Sequence, residues 1–274
     1  MSTAPAVTSA TSAGPSADPT AEAVPTGRRG RRLDPEMLLL LVLPPVLVAL
    51  AFGAWVLWRQ TADLDSVEQS QLAWSTVTSL MVEHVKLTAV AGLLVVAVAV
   101  PLGIALTRGR LKAASPVVVG LANAGQAAPA VGLIVLLALW LGFGFGTAII
   151  ALVVYGVLPV LRNTIVGLQG VDPTLVEAGR GIGMTPAAVL LRVELPLALP
   201  VIMSGVRTAL VLIVGTAALA TFINAGGLGA MIVAGINLFR YSLVVSGALL
   251  VALLALLVEW LGRVLEFVAR PKGV

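Results

Sequence analysis

The side chains best suited to polar chemistry lie in residues 171–200, which carry charges of both signs between two apolar segments. Asp172 precedes Pro173, an order typical of the N-cap and first position of a helix. Glu177 lies early in this helix, where the helix dipole favours an acid, and Arg180 follows on the same face. The pattern predicts a short charged helix that meets a polar partner surface.

Glycines and prolines divide this stretch further. Gly181 and Gly183 end the first helix, because a left-handed residue beyond a helix C-terminus is favourable mainly for glycine. Thr185 can cap a second helix whose first residue is Pro186, and Pro196 interrupts the chain beyond it. The sequence therefore predicts two short helices joined by a glycine elbow.

This stretch resembles the EAA loop found in membrane subunits of ABC importers. The family pattern is EAA, then a glycine, then I-x-LP, and every spacing matches, with Gly179 for the third alanine and Val193 for isoleucine. The resemblance implies that the loop is the coupling helix that docks into a groove of the cytoplasmic ATPase; an ordinary amphipathic loop between two membrane helices is the alternative. The candidate coupling residues are Glu177, Ala178, Gly179, Arg180, Gly183, Leu195 and Pro196.

Longer phrases are similar to permeases of the glycine betaine, carnitine and choline group. They are EHVKLT (83–88), PLGIALTR (101–108), VLPVLRNTIVGLQGVDPTLVEAGRGIGMT (157–185), VELPLALPVIMSGVRTA (193–209) and INAGGLG (223–229). The resemblance implies a type I ABC importer permease that moves a quaternary-amine osmoprotectant, namely glycine betaine, choline, carnitine or proline betaine. It implies three partners: a cytoplasmic ATPase dimer, a second permease in a homo- or heterodimer, and an extracytoplasmic solute-binding protein. Ergothioneine or an amino acid is the alternative substrate.

Composition independently assigns the chain to the membrane. Of its 274 residues 59% are hydrophobic and 11% charged, and the mean hydropathy is +1.05. A water-soluble domain is excluded, and an all-α polytopic membrane protein is predicted. The net charge of +4 comes from residues at membrane flanks, so membrane lipid rather than nucleic acid is the expected contact.

About six transmembrane helices are predicted, since a bilayer core needs about twenty helical residues. The segments are 37–58, 87–106, 116–141, 146–161, 201–222 and 242–261. Residues 226–236 are apolar but short, which indicates a broken or re-entrant helix that faces protein. With a cytoplasmic N-terminus, only Arg59, Lys86 and Arg240 among the Lys and Arg residues fall outside, so we expect both termini in the cytoplasm of a bacterium, beneath its plasma (inner) membrane.

Four regions follow from this assignment. Residues 1–36 form a disordered, basic-ended cytoplasmic tail, and residues 37–86 form the first span and an acidic outer loop that holds an interfacial helix and the sole histidine, His84. Residues 87–265 form the core permease domain with the coupling loop at 171–200. Residues 266–274 form a cytoplasmic C-terminal tail.

No candidate for catalysis or energy conversion appears in the sequence. It contains no cysteine and no G-x-x-x-x-G-K-[ST] phosphate loop, and no metal site or catalytic constellation is predicted. If the chain pumps, the energy must therefore come from a partner; the resemblance implies that a partner subunit binds the ATP, and we expect no cofactor in this chain. An ion-coupled secondary carrier is a weaker alternative, because such a carrier normally keeps an acid or a histidine at mid-membrane depth. The one acid of the last span, Glu259, lies near the inner end of that span with Arg263 at i+4.

Mildly polar side chains inside the spans have two interpretations. Each can make an interhelical hydrogen bond, which is the commoner role, or line a translocation path. Recurrent glycines likewise indicate close helix packing or a dimer interface. The candidate path residues are Asn123, Gln126, Tyr155, Thr216, Thr221 and Asn224.

Overall fold

A computed structural model describes residues 35–269, and within this range every regular element is helical, which confirms the all-α prediction. The α-helices are α1 (Pro35–Thr61), α2 (Ser66–Gln71), α3 (Trp74–Leu106), α4 (Ser115–Ala127), α5 (Ala130–Leu141), α6 (Phe145–Gln169), α7 (Pro173–Gly181), α8 (Pro186–Val189), α9 (Leu195–Ala217), α10 (Gly229–Asn237) and α11 (Tyr241–Ala269). Most of the predicted N-terminal tail, with its arginines, and the end of the predicted C-terminal tail lie outside the described residues; α11 extends to Ala269.

Five of these helices are long and apolar enough to cross a membrane, and α4 with α5 raises the number to six if the bent pair counts as one span. The predicted span at 116–141 is wrong as a straight helix, because the chain bends by 99° between α4 and α5. Pro129 explains the break. It has no N–H, and it forces the preceding Ala128 into an extended conformation with ψ 143°.

The second span, α3, begins at Trp74 rather than at residue 87, so the predicted boundary at residues 86/87 falls inside a helix. The predicted interfacial helix is instead the first part of α3, preceded by the short α2. Burial explains the longer helix, because Val77 packs in a cluster with Trp55 of α1 and Leu243 of α11.

Helix α6 is also longer than the predicted 146–161, and it continues through Pro159 to Gln169. The Asn163 side-chain amide donates to the Pro159 carbonyl at 2.8 Å. A Cβ on Gly205 of α9 would lie 2.7 Å from the same carbonyl. This contact shows that α6 and α9 pack backbone to backbone, as small residues permit.

Helices α3, α6 and α9 form the centre of the described bundle. Leu87, Leu161 and Ile213 belong to one buried cluster that joins all three. The short α10 confirms the expected broken segment near 226–236, and its Met231 is fully buried against protein. The predicted pair of Glu259 and Arg263 is confirmed at 3.1 Å in α11.

Candidate functional site

The first helix of the coupling loop, α7, begins as the sequence predicted. An Asp172 carboxylate oxygen accepts a hydrogen bond from the backbone N–H of Thr174 at 2.8 Å, and Pro173 takes the first helical position. This hydrogen bond lowers the pKa of Asp172. The cap is therefore ionised at neutral pH and complements the positive end of the helix dipole.

The glycine elbow is confirmed at Gly183, whereas Gly181 is not left-handed and forms the last residue of α7. Gly183 has φ +87°, where other L-residues are strained, and an added Cβ there would meet nothing within 4 Å. The Met184 N–H donates to the Gly179 carbonyl at 3.1 Å and closes the turn. Thr185 then caps α8 by accepting the Ala188 N–H at 3.2 Å. The elbow thus depends on the backbone freedom of Gly183 rather than on space around it.

The predicted coupling residues divide into a surface and an anchor. Glu177, Ala178 and Arg180 are exposed, whereas Gly179 is buried. A Cβ on Gly179 would lie 3.5 Å from a Val189 methyl, an ordinary contact, so the alanine of the family pattern would also fit. The exposed residues form a polar face that a second protein can reach.

The anchor of the loop is apolar. Leu195 packs against a buried cluster formed by Leu168, Ala198 and Ile202, and Pro196 is half-buried at the start of α9. These two predicted residues therefore hold the loop to the bundle. They do not form part of its exposed face.

Sequence reasoning missed an ion pair of the loop, which joins Glu194 to Arg108. Glu194 is 5% exposed, and its Oε1 accepts from Arg108 Nη1 at 3.1 Å while its Oε2 pairs with Nη2. The available signals were Glu194, a single acid in an apolar stretch, and Arg108, which ends another apolar stretch. Nothing in the sequence indicates that two residues so far apart form a pair. The bidentate contact ties the return limb of the loop to the end of α3.

Glu194 also ends a local irregularity in the backbone. Residues Leu190–Glu194 form a π-helical turn between α8 and α9, closed by the Leu195 N–H and the Leu190 carbonyl. Such turns are frequent at functional sites. A cleft of about 560 Å³ opens beside the loop. Its lining includes Arg108, Lys112, Glu177, Arg180 and Glu194.

Two of the candidate path residues meet at the α4–α5 break. The Gln126 side-chain amide donates to the Tyr155 carbonyl at 3.2 Å, and the Tyr155 hydroxyl donates to the Ala128 carbonyl. Tyr155 is 7% exposed. Both side chains brace the break, which is the interhelical role considered for them, whereas Asn123 on α4 is exposed.

The other candidates lie at and beyond the end of α9. Thr216 and Thr221 are half-buried, and Asn224 is exposed with φ +59°. Thr221 lies in the 3₁₀ segment Ala218–Ile223, which shares a buried cluster with Ile134 of α5. No hydrogen bond joins these three side chains to the Gln126–Tyr155 pair within residues 35–269.

The prediction that His84 lies in an outer loop is wrong. His84 lies within α3 and is fully buried, and its ring makes hydrogen bonds to two other parts of the chain. Nε2 lies 3.0 Å from the Val214 carbonyl of α9, and Nδ1 accepts the Leu228 N–H at 3.2 Å. The neighbouring Glu83 accepts the Gly227 N–H at 2.9 Å.

Comparison with known proteins assigns this architecture to a family. Residues 99–270 match the family described as "Binding-protein-dependent transport system inner membrane component". The choline transport system permease protein OpuBB of Bacillus subtilis (strain 168) is 43% identical over 192 residues, 70% of this chain and 88% of the relative. The osmoprotectant import permease protein OsmW of Salmonella typhimurium is 40% identical over 201 residues, 72% of this chain and 93% of the relative.

Solved structures agree at the level of the fold. The inward-facing MetNI methionine ABC transporter superposes with a TM-score of 0.61 at 24% identity, covering 71% of this chain and 96% of that one. An amino acid ABC transporter gives a TM-score of 0.61 at 20% identity, covering 75% of this chain and 99% of that one. This multi-pass chain therefore has the type I ABC importer permease fold and belongs to the family of inner membrane components of binding-protein-dependent transport systems, whose members are transport subunits rather than enzymes.

Proposed function

We propose that this permease moves a quaternary-amine osmoprotectant such as glycine betaine, choline, carnitine or proline betaine. One observation carries the proposal: relatives that are 40–43% identical are named as permeases for choline, for glycine betaine, carnitine and choline, or for osmoprotectants. The methionine and amino acid transporters share only the fold, at 24% identity or less. The similarity therefore favours one of these osmoprotectants over ergothioneine or an amino acid.

The coupling loop would deliver the energy. Its exposed face at Glu177, Ala178 and Arg180 suits docking of a cytoplasmic ATPase dimer. ATP would bind to that ATPase rather than to this chain. This role requires the loop to lie in the cytoplasm, and with α4–α5 counted as one span both termini lie there too, in agreement with the distribution of Lys and Arg. A solute-binding protein would deliver the substrate from the opposite side, and a second permease, identical or related, would complete the pore.

The path would be polar but weakly binding. Asn123 is exposed within the apolar helix α4. An exposed amide there is unfavourable against lipid, which supports a position facing the path or the second permease. Thr216, Thr221 and Asn224 would continue the polar lining toward the solute-binding protein.

The chain itself offers little to select a quaternary ammonium ion. Such a cation is held best by several aromatic faces, and only 5% of the residues are aromatic. The main aromatic group, Phe52, Trp55 and Trp74, already holds the Arg59 guanidinium 4.7 Å above Trp74. Selectivity would therefore reside largely in the solute-binding protein.

Uptake of labelled glycine betaine tests the proposal. A host strain without its own osmoprotectant importers would express the permease with its ATPase and binding protein at high osmolarity, with choline, carnitine, proline betaine and ergothioneine as competitors. We expect uptake that choline, carnitine and proline betaine suppress and ergothioneine does not. Suppression by ergothioneine alone, or no uptake of any of these solutes, would reject the substrate assignment.

A further inference from the structure

Helix α3 is held by side-chain contacts at two distant points. At one end, Arg108 follows the last residue of α3 and pairs with Glu194 of the coupling loop. Toward the other end, Glu83 and His84 bind a short segment at residues 224–228, called here the glycine loop. The 22 helical steps from His84 to Leu106 span about 33 Å at 1.5 Å per residue, roughly the thickness of a bilayer core.

The contact at His84 fixes a single tautomer. Because Nδ1 accepts the Leu228 N–H, the ring proton lies on Nε2, which donates to the Val214 carbonyl. Val214 is among the last four residues of α9, whose carbonyls lack α-helical partners. One fully buried imidazole therefore satisfies two backbone groups and joins α3 to α9 and to the glycine loop.

The glycine loop fits closely against these two side chains. Gly226 and Gly227 have φ values of +82° and +90°. A Cβ on Gly226 would lie 2.4 Å from the Glu83 carboxylate, and a Cβ on Gly227 would lie 3.1 Å from His84 Nδ1. The loop backbone can therefore approach α3 only because both residues are glycine. Asn224, a candidate path residue, begins this loop.

The contact at Arg108 is also buried on the side of its acid partner. Glu194 is 5% exposed and has a bidentate partner in Arg108. It lies at the end of the π turn that leads from the coupling loop into α9. A displacement of the coupling loop that keeps this pair intact must carry the end of α3 with it.

We infer that α3 links the coupling loop to the glycine loop, with Glu83, His84, Arg108 and Glu194 as the positioning residues. The inference rests on the proposed function, in which an ATPase moves the coupling loop. Closure of the ATPase displaces Glu194, Arg108 carries α3 with it, and Glu83 and His84 transmit the displacement to the glycine loop. The response of the path to ATP therefore depends on both sets of contacts.

The absence of cysteine from the chain makes a direct test practical. Phe222 is 50% exposed just before the glycine loop, so Phe222→Cys accepts an environment-sensitive fluorophore before the full complex is assembled. The readout is the fluorescence emission of this label with and without a non-hydrolysable ATP analogue. ATPase co-purification is measured on the same samples.

Arg108→Ala and Glu194→Gln break the pair, while Arg110→Ala is the matched control. The Arg110 side chain is exposed and makes no hydrogen bond or ion pair within the described residues. We expect Arg108→Ala and Glu194→Gln to lose most of the nucleotide-dependent emission change while the ATPase still co-purifies, and Arg110→Ala to retain it. The double exchange of Arg108→Glu with Glu194→Arg should recover part of the change, which a merely unfolded variant would not.

The opposite end has its own variant. His84→Gln places an amide N–H near the position of Nε2 but removes the acceptor for the Leu228 N–H, so it too should reduce the emission change and leave ATPase binding intact. A full emission change in Arg108→Ala or in His84→Gln would overturn the inference while leaving the proposed function in place. An unsubstituted complex that binds the ATPase but shows no emission change would overturn the inference alone, and a permease that fails to bind the ATPase would overturn both.

Discussion

Replacement of Gly183 by alanine tests the elbow of the coupling loop. Gly183 has φ +87° and open space around its Cα, so alanine there adds backbone strain without a clash. A left-handed alanine costs about 1–2 kcal/mol. The free loop relaxes out of the elbow, and docking must restore it. Affinity for the ATPase should therefore fall about 5- to 30-fold.

Two further variants separate strain from chemistry. Gly183→Asn should lose less affinity than Gly183→Ala, because asparagine tolerates the left-handed region. Gly181→Ala changes a glycine in the same loop that lies within α7, also with nothing within 4 Å of an added Cβ. It should keep or slightly raise affinity, since alanine favours a helix over glycine by about 1 kcal/mol.

The assay is equilibrium binding of the purified ATPase subunit to the permease in detergent or nanodiscs. The expected order of affinity is Gly181→Ala at or above the unsubstituted chain, then Gly183→Asn, then Gly183→Ala. Equal losses in Gly183→Ala and Gly181→Ala would show that the loop tolerates no side chain at either site. The backbone argument would then be refuted.

Three more predictions concern stability and can be measured as apparent melting temperatures of the detergent-solubilised permease. Arg108→Ala should lower this temperature more than Glu194→Gln, because it leaves the buried Glu194 carboxylate unpaired, which costs about 3 kcal/mol of folding free energy. In Glu194→Gln the Arg108 side chain loses its partner but is 37% exposed and can reach water. Equal losses in the two variants would contradict this reasoning. Gly229→Ala should abolish folding, since its Cβ would lie 1.8 Å from a backbone oxygen, while Gly215→Ala, with nothing within 4 Å, should not; a folded Gly229→Ala protein would show that this packing is wrong. Tyr155→Phe removes one hydrogen bond at the α4–α5 break and should cost about 1 kcal/mol without changing substrate specificity; a change in specificity would instead support contact with the substrate.

Local signals explain why the coupling loop was predictable from sequence. Asp172, Gly183 and Thr185 act on backbone groups within a few residues of themselves, so their spacing alone determines the caps and the elbow. Long apolar runs identified the spans in the same way. Their ends were less predictable, because the start of α3 at Trp74 depends on packing against helices from elsewhere in the chain.

Contacts between distant residues explain the remainder. Arg108 and Glu194 are 86 positions apart, and Leu228 lies 144 positions beyond its partner His84. A histidine flanked by Glu83 and Val85 has the same local pattern whether it lies at a membrane boundary or makes hydrogen bonds inside the bundle. The bend at Pro129 was visible as a proline, but only the packing around it decides between a kink and a 99° break.

The most direct test of the account is accumulation of glycine betaine by proteoliposomes that contain this permease with its ATPase and, on the substrate side, its binding protein. We expect accumulation above the external concentration that requires ATP and the binding protein, is insensitive to ionophores, and falls when Gly183 is replaced by alanine. Accumulation driven by an ion gradient without ATP, or simple equilibration of the solute, would contradict the assignment of an ATP-coupled permease.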